Sequence, residues 1–443
     1  MIVRTEVNIK IALGKALEKK KLTLKARNAL LGSMTDDVAD LVLLDNALQT
    51  QAISYAQLQG NALLEIQGRL ISSLEKEGSL DRNIEFLPND EEINRRHAAG
   101  KGLTRPEISV VMAYSKLRLY ECLLASELPD EDYYEQDLIR YFPVKLQEKY
   151  MDEICTHPLR REIIATAVTN SIINRIGGSM FYQIKEDSGL QESDVARAYT
   201  VAREVFDLRA LWNDISDLKD ITPEVQKELF LEVQAIVERA SIWFLRNIPQ
   251  PIKVAQTAQN YMPGIKMLAE NLGKILPASQ RQFFDKRLAR HKAAKLPDGL
   301  ARKMAGLDSL ASACDVVQAA HTSKLPVDVI GRIYFEIGAR LNFAWMREVL
   351  KRISPHSYWQ RISAKTMVDD IYDEQKRITL EVVKHLCKGN ECSTAIDSWI
   401  RNNEAKIARF TAFIDDIKAQ DEPDFSMIVV AIRKVKDIYA VDL

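Results

Sequence analysis

The chain is 443 residues long, with 61 basic against 62 acidic side chains and a formal net charge of −1, so no global field draws it to nucleic acid or to an anionic membrane. Only 17 Gly and 14 Pro occur, below the ordinary shares of about 7% and 5%, a balance that points to helices joined by short loops. The length allows roughly two to four domains with large cores. Five scattered cysteines suit reduced thiols in the cytoplasm better than a disulfide framework. No apolar run reaches the roughly 18 residues of a membrane span, and Met1 to Lys10 lacks the apolar core of a signal peptide.

In chain order, Glu6 to Leu13 alternates and then runs apolar, as either a short strand or the opening turns of a helix. Lys19, Lys20, Lys21, Lys25 and Arg27 follow as a basic cluster, a solvated connector or the mate of an acidic surface. Ser33 or Thr35 is expected to cap the next helix, with Asp36 and Asp37 suited to its positive N-terminal end. That helix carries Val38, Leu41, Val42, Leu48 and Ala52 on an apolar face. Its dense polar residues Asp45, Asn46, Gln49 and Gln51 suggest a polar interface. Helix continues from Gln57 to Leu74, a loop from Gly78 leads to Pro88, and Glu91 to Ala99 is helical again. Gly100-Lys101-Gly102 lacks the Lys-Ser/Thr of a phosphate loop. Thr104-Arg105-Pro106-Glu107 has capping-box spacing, so the glycines form the turn before a well-capped helix bearing Ile108, Val111, Met112, Ser115, Leu119 and Leu123.

Pro129 and Pro143 punctuate two short helices, from Asp132 to Phe142 and from Val144 to Cys155. A helix is expected to begin at Pro158, capped by Thr156 or His157, and to be covered on more than one side because its isoleucines spread around the wheel. Thr166, Asn170 and Asn174 form one row on it, either a hydrogen-bonded ladder against a neighbour or, less readily, part of a ligand site. Gly177-Gly178 should end it in a left-handed turn. Ser193 or Asp194 then caps a long helix running through Val195 to Trp212, with Arg197, Arg203 and Arg209 paired to nearby acids rather than binding an anion. Thr222-Pro223-Glu224 opens a helix reaching Arg246.

Pro249 to Pro251 breaks the chain and marks the expected boundary between helical subdomains. The predicted organisation is a connector over 1–26, one helical subdomain over 27–248 and a second over 249–443. In the latter, Lys286, Arg287, Arg290, His291, Lys292 and Lys295 form a basic face with few aromatic stacking partners, expected in solvent or against a subunit. Val327 to Leu350 belongs in a core. Trp359 and the run from Met367 to Cys387 supply two more helical layers, and Ser393 to Lys418 another. The fold class is therefore all-α, a multi-helix bundle-like array with at most a short terminal strand.

Catalytic signatures are missing from the sequence. His385, Cys387 and Cys392 lack the fourth ligand of a closed zinc site. No nucleophile triad, His-Glu-x-x-His, kinase, P-loop or dinucleotide motif is present. Adjacent carboxylates such as Asp36-Asp37 and Asp369-Asp370 point different ways on a helix and make no dyad.

Several long stretches do carry a resemblance. His157 to Thr166 with Thr169-Asn170 and Asn174-Arg175, Met34 to Asn46, Gln49 to Ser54, Gly102 to Leu117, Ala196 to Leu208, Ile333 to Leu341 and Val368 to Gln375 resemble, in order, the C-terminal region of the large bacterial NAD-specific glutamate dehydrogenases. Ala47 departs from the aromatic residue expected after Asp45-Asn46. The resemblance implies oxidative deamination of L-glutamate to 2-oxoglutarate and ammonia with NAD in a homo-oligomeric cytoplasmic enzyme. It also implies that the catalytic lysine and aspartate and the dinucleotide fold lie in a preceding catalytic domain, with Glu6 to Ile11 its last remnant. No catalytic, cofactor-binding or metal residue is carried over to this chain, which is expected to bind neither NAD nor nucleic acid and to be inactive alone. The alternative is a free-standing helical interaction module.

Overall fold

The scarcity of helix breakers has the expected result. In the computed structural model, which describes residues 2–353, 358–386 and 392–439, the described residues form 23 α-helices and two short 3-10 turns, with no strand among them. Glu6 to Leu13 is helical, inside the Ile2–Glu18 helix. Its buried side chains Ile9, Ala12, Leu13 and Ala16 recur every three or four residues, so the helical period prevails over the local alternation.

Helix termini hold most of the differences from expectation. The Thr35–Gln59 helix follows the Leu24–Ser33 helix through Met34 with no side-chain cap, because Ser33 and Thr35 both turn their hydroxyls back to carbonyls of the preceding helix. Gly60, at φ 52°, separates it from the Asn61–Lys76 helix. Pro158 precedes its helix rather than opening it, and the Arg160–Ser188 helix starts two residues later. His157 still serves that end, its Nδ1 accepting the Leu159 N–H at 3.1 Å. Gly177 takes φ 79° and kinks this helix without ending it, and the left-handed terminus comes at Gly189. The helix expected to run to Trp212 breaks after Val205 at left-handed Asp207, and Trp212 sits in the following Leu208–Ser216 helix.

Two compact units emerge, each discontinuous in sequence: residues 1–202 with 237–257, and residues 203–236 with 258–443. The first has a core in which Leu64, Leu70, Ile71 and Leu74 pack with Ile93, Leu103, Ile108 and Val111. The second has a core from Ile333, Phe343, Met346, Ile371, Ile378 and Trp399, continued by Phe410, Ile414 and Ile432. There the span from Val327 to Leu350 is two helices, Val327–Arg340 and Phe343–Arg352, broken at left-handed Asn342. Met367 to Val383 belongs to one helix that begins at Tyr358, and Trp359 is 72% exposed, so it supplies no separate core layer.

Candidate functional site

In the first unit the Thr35–Gln59, Arg105–Ala125 and Arg160–Ser188 helices pack on one another through mainly apolar residues, with a cluster of polar side chains set among them. Local sequence sets their approach. Thr104 and Glu107 form the capping box, with the Thr104 N–H donating to Glu107 at 2.6 Å. Arg96 grips the same carboxylate at 2.7 and 3.0 Å. Burial alone would raise the Glu107 carboxyl, but Arg96 and the Thr104 N–H outweigh it and hold it below the usual range. Gly102 lies so close to the backbone of Gly60 that a Cβ there would sit at 2.6 Å, which explains a glycine without any phosphate. Gly178 allows the Arg160–Ser188 helix to meet the Arg105–Ala125 helix at Ser115, where a Cβ would lie 2.3 Å from the hydroxyl.

At the centre, Asn174 donates from Nδ2 to Asp45 Oδ1 at 3.0 Å, and Gln49 donates to the other Asp45 oxygen. Asn174 is buried, and its own Oδ1 has no hydrogen-bond partner among the described residues. Lys116 enters from the third helix. Burial lowers its amine to about 8 while the Asp45 carboxylate pulls the other way. One helical turn beyond Gln51, Tyr55 is pushed up to about 12 by burial, against a hydrogen bond from Gln51 and the nearby Arg175 charge. The cluster thus holds an amine partly neutral near physiological pH beside a carboxylate with both oxygens engaged. Lys116 and Asp45 act on each other through charge alone, with no hydrogen bond or ion pair between them among the described residues.

Only part of the predicted polar row takes part. Thr166 bonds back to Glu162 of its own helix at 2.7 Å, Asn170 is half-buried, and Asn174 alone crosses to a neighbour. The density of polar residues at Asp45, Gln49 and Gln51 was legible in the sequence. Lys116 gave no signal, since an isolated lysine in an amphipathic helix ordinarily faces water.

The other sequence candidates are absorbed by ion pairs or lie apart. Arg197 binds Glu131 at 2.7 Å and Asp194 at 3.1 Å, Arg203 binds Glu204 at 2.8 Å, and Arg209 lies 3.7 Å from Glu204. The N-terminal basic cluster meets acid within the chain, with Lys21 at 2.9 Å and Lys19 at 3.4 Å from the buried Glu153 carboxylate. On the second unit's basic face, Arg287 and Arg290 share Glu232 at 2.7 and 3.1 Å. His291 departs from the solvated face expected: it is buried, and burial with the two arginine charges lowers its imidazole to about 4. Cys387 lies outside the described residues, and among those described no three His, Cys, Asp or Glu side chains come together as metal ligands. No helix among them is long and apolar enough to cross a membrane.

Two family profiles match the chain. Residues 100–437 match the one described as "Glutamate dehydrogenase, C-terminal", and residues 2–56 match "Bacterial NAD-glutamate dehydrogenase, catalytic domain". The chain is 34% identical over 434 residues to the NAD-specific glutamate dehydrogenase of Pseudomonas aeruginosa and 33% identical over 434 residues to that of Halomonas elongata, covering 98% of this chain in each case. The protein of that name from Mycobacterium tuberculosis is 30% identical over 431 residues, 97% of this chain. The chain spans about a quarter of the length of these relatives, 27%, 27% and 26% respectively. Asp45 and Gln49 fall within the catalytic-domain match, Lys116 and Asn174 within the C-terminal match, so the cluster joins the two profiles. By its sequence the chain belongs to the glutamate dehydrogenase C-terminal family, as a C-terminal region of NAD-specific glutamate dehydrogenases.

Proposed function

We propose that this chain is the helical support of an NAD-dependent glutamate dehydrogenase, converting L-glutamate to 2-oxoglutarate and ammonia only when joined to a catalytic domain that binds NAD. The observation carrying this reading is the Thr35–Gln59 helix. All but its last three residues, 57–59, lie within the catalytic-domain match, yet only Val38 and Val42 are buried along its 25 residues. Leu43, Leu44 and Leu58 are 63%, 56% and 58% exposed. Leu58 adds a further exposed leucine about 21 Å along the helix axis from Leu44, at about 1.5 Å per residue, while Leu43 and Leu44 stand side by side as an apolar patch that a larger domain would cover. Its proposed occupant is the catalytic domain of the same polypeptide, within a cytoplasmic homo-oligomer. In this reading the Asp45, Lys116 and Asn174 cluster transmits the position of the catalytic domain to the helical core and performs no chemistry of its own.

The test is glutamate-dependent NAD reduction. The chain alone is expected to show none, whereas a fusion to the remainder of the Pseudomonas aeruginosa relative should turn over. The fusion carrying Leu43→Ser, Leu44→Ser and Leu58→Ser should lose most of that activity while the isolated triple variant keeps the melting temperature of the parent chain. Turnover by the isolated chain, or full activity of the triple-variant fusion, would sink the proposal.

A further inference from the structure

The second unit contains a cavity of about 340 Å³ between the Ala278–Ala293, Asp298–Leu310, Val327–Arg340, Phe343–Arg352 and Tyr358–Val383 helices. That volume is in the range of small-molecule sites. Phe283, Phe335, Trp345 and Tyr372 give it aromatic surfaces, and Ser309 and Ser312 contribute hydroxyl groups. Lys351 lies among the lining residues with Asp308 at 3.1 Å and Glu348 at 2.8 Å, so these three charges are engaged with one another.

Arg347 is different. Its guanidinium stacks on Tyr372 with 4.3 Å from Cζ to the ring centroid, and one N–H donates to Gln375 Oε1 at 2.9 Å. Among the described residues it has no ion-pair partner. Its orientation is built in. Gln375 is fully buried and donates its Nε2 to the Tyr334 carbonyl at 2.8 Å, which turns its Oε1 toward Arg347. Gly338 leaves the room for this amide, since a Cβ there would lie 2.3 Å from Gln375 Nε2. With both lining carboxylates, Asp308 and Glu348, drawn to Lys351, the half-buried Arg347 guanidinium is held only by an aromatic face and a neutral amide, which leaves it the cation of this cavity open to a carboxylate. A guanidinium with one N–H engaged retains enough of its fork to take a carboxylate through two parallel bonds.

We infer that this cavity binds a small organic anion: a carboxylate held by Arg347, attached to a planar apolar body that lies against the Phe283, Phe335 and Trp345 surfaces. The site is separate from the exposed leucines and from the Asp45 cluster, and it stands or falls independently of the dehydrogenase reading.

Benzoate is the probe, with benzamide as the uncharged isostere and acetate as the anion without a ring. Saturation-transfer NMR and thermal melting of the full 443-residue chain should show saturable benzoate binding, with benzamide and acetate at least about tenfold weaker, as loss of a charge-assisted pair or an aromatic contact requires. Arg347→Met should abolish the preference for benzoate over benzamide, and Arg347→Lys should retain part of it. Should Arg347→Met misfold, Phe283→Ala tests the same site, because Phe283 is 46% exposed and little of the core depends on it; it should weaken benzoate severalfold. Equal binding of benzoate and benzamide, no saturable binding, or undiminished preference in a folded Arg347→Met chain would overturn the assignment.

Discussion

Two long helices of the first unit, both bearing polar residues at their contact, differ in how they are covered. Along Arg160–Ser188, twelve residues are buried, among them Ile163, Ile164, Val168, Ile172, Ile173 and Ile176. Along Thr35–Gln59 two are. The first helix has its apolar surface satisfied within the chain, and its contribution is to stability. The second is held by buried Val38 and Val42, by Ile53 and Ala56 at the edge of the apolar core, and by polar contacts, with Asn174 bonded to Asp45 and the Arg105 guanidinium donating to Ser54 at 2.9 Å. Its leucines remain available. A helix that spends little apolar surface on its own unit is the one suited to bind another.

The largest separation between the two helices should appear on truncating a side chain in each. Ile172→Ala, in the core of the Arg160–Ser188 helix, should cost about 2–5 kcal/mol by urea denaturation. A loss as small as that of a surface substitution would mean the helix is not the buried element described. Gly178→Val should follow at about 1–3 kcal/mol, because the new side chain runs into Ser115 and forces the two helices apart. Pairing Gly178→Ala with Ser115→Gly should recover most of the corresponding single-variant loss, and failure to do so would remove close approach as the reason for the glycine.

Lys116→Met probes the polar seam between the helices and should change stability in the opposite direction. The folded chain holds this amine at about 8 against an ordinary 10.5. Between those values the unfolded chain binds more protons than the folded one, so the parent chain gains stability as pH rises through this window. Below it the burial penalty is present in full. The methionine variant should therefore be more stable by about 1–2 kcal/mol at pH 7, with the advantage fading as pH approaches 10.5. Melting curves at pH 7 and pH 10 distinguish this from a gain in packing alone, which would persist at both. Smallest of all, Leu44→Ala on the exposed face should stay within about 0.5 kcal/mol of the parent chain. A larger loss would show that this leucine is already packed within the chain and would break the contrast between the two helices.

Much of the fold was legible from residue order. The capping box at Thr104 and Glu107 is present as its spacing predicts, and the apolar series from Ile108 to Leu123 is buried as its helical period requires. Termini were less legible. Gly177 kinks its helix instead of ending it, and Ser33 and Thr35 decline to cap, because several local hydrogen-bonding solutions lie close in free energy and packing selects among them. The candidate site was half legible: Asp45 and Gln49 signalled a polar interface, whereas Lys116 did not.

Sequence by itself determined that this chain is helical, which residues line its helices and which family it belongs to, since periodicity, caps and long motifs are properties of neighbouring positions. The tertiary structure alone decided that Asp45 meets Asn174 across 129 steps of chain, that Lys116 is pulled from water near them, and that each compact unit is built from two separate stretches of sequence. It also decided which leucines stay exposed. An isolated period cannot distinguish an apolar face covered by its own chain from one left open, because burial depends on the surfaces brought against it.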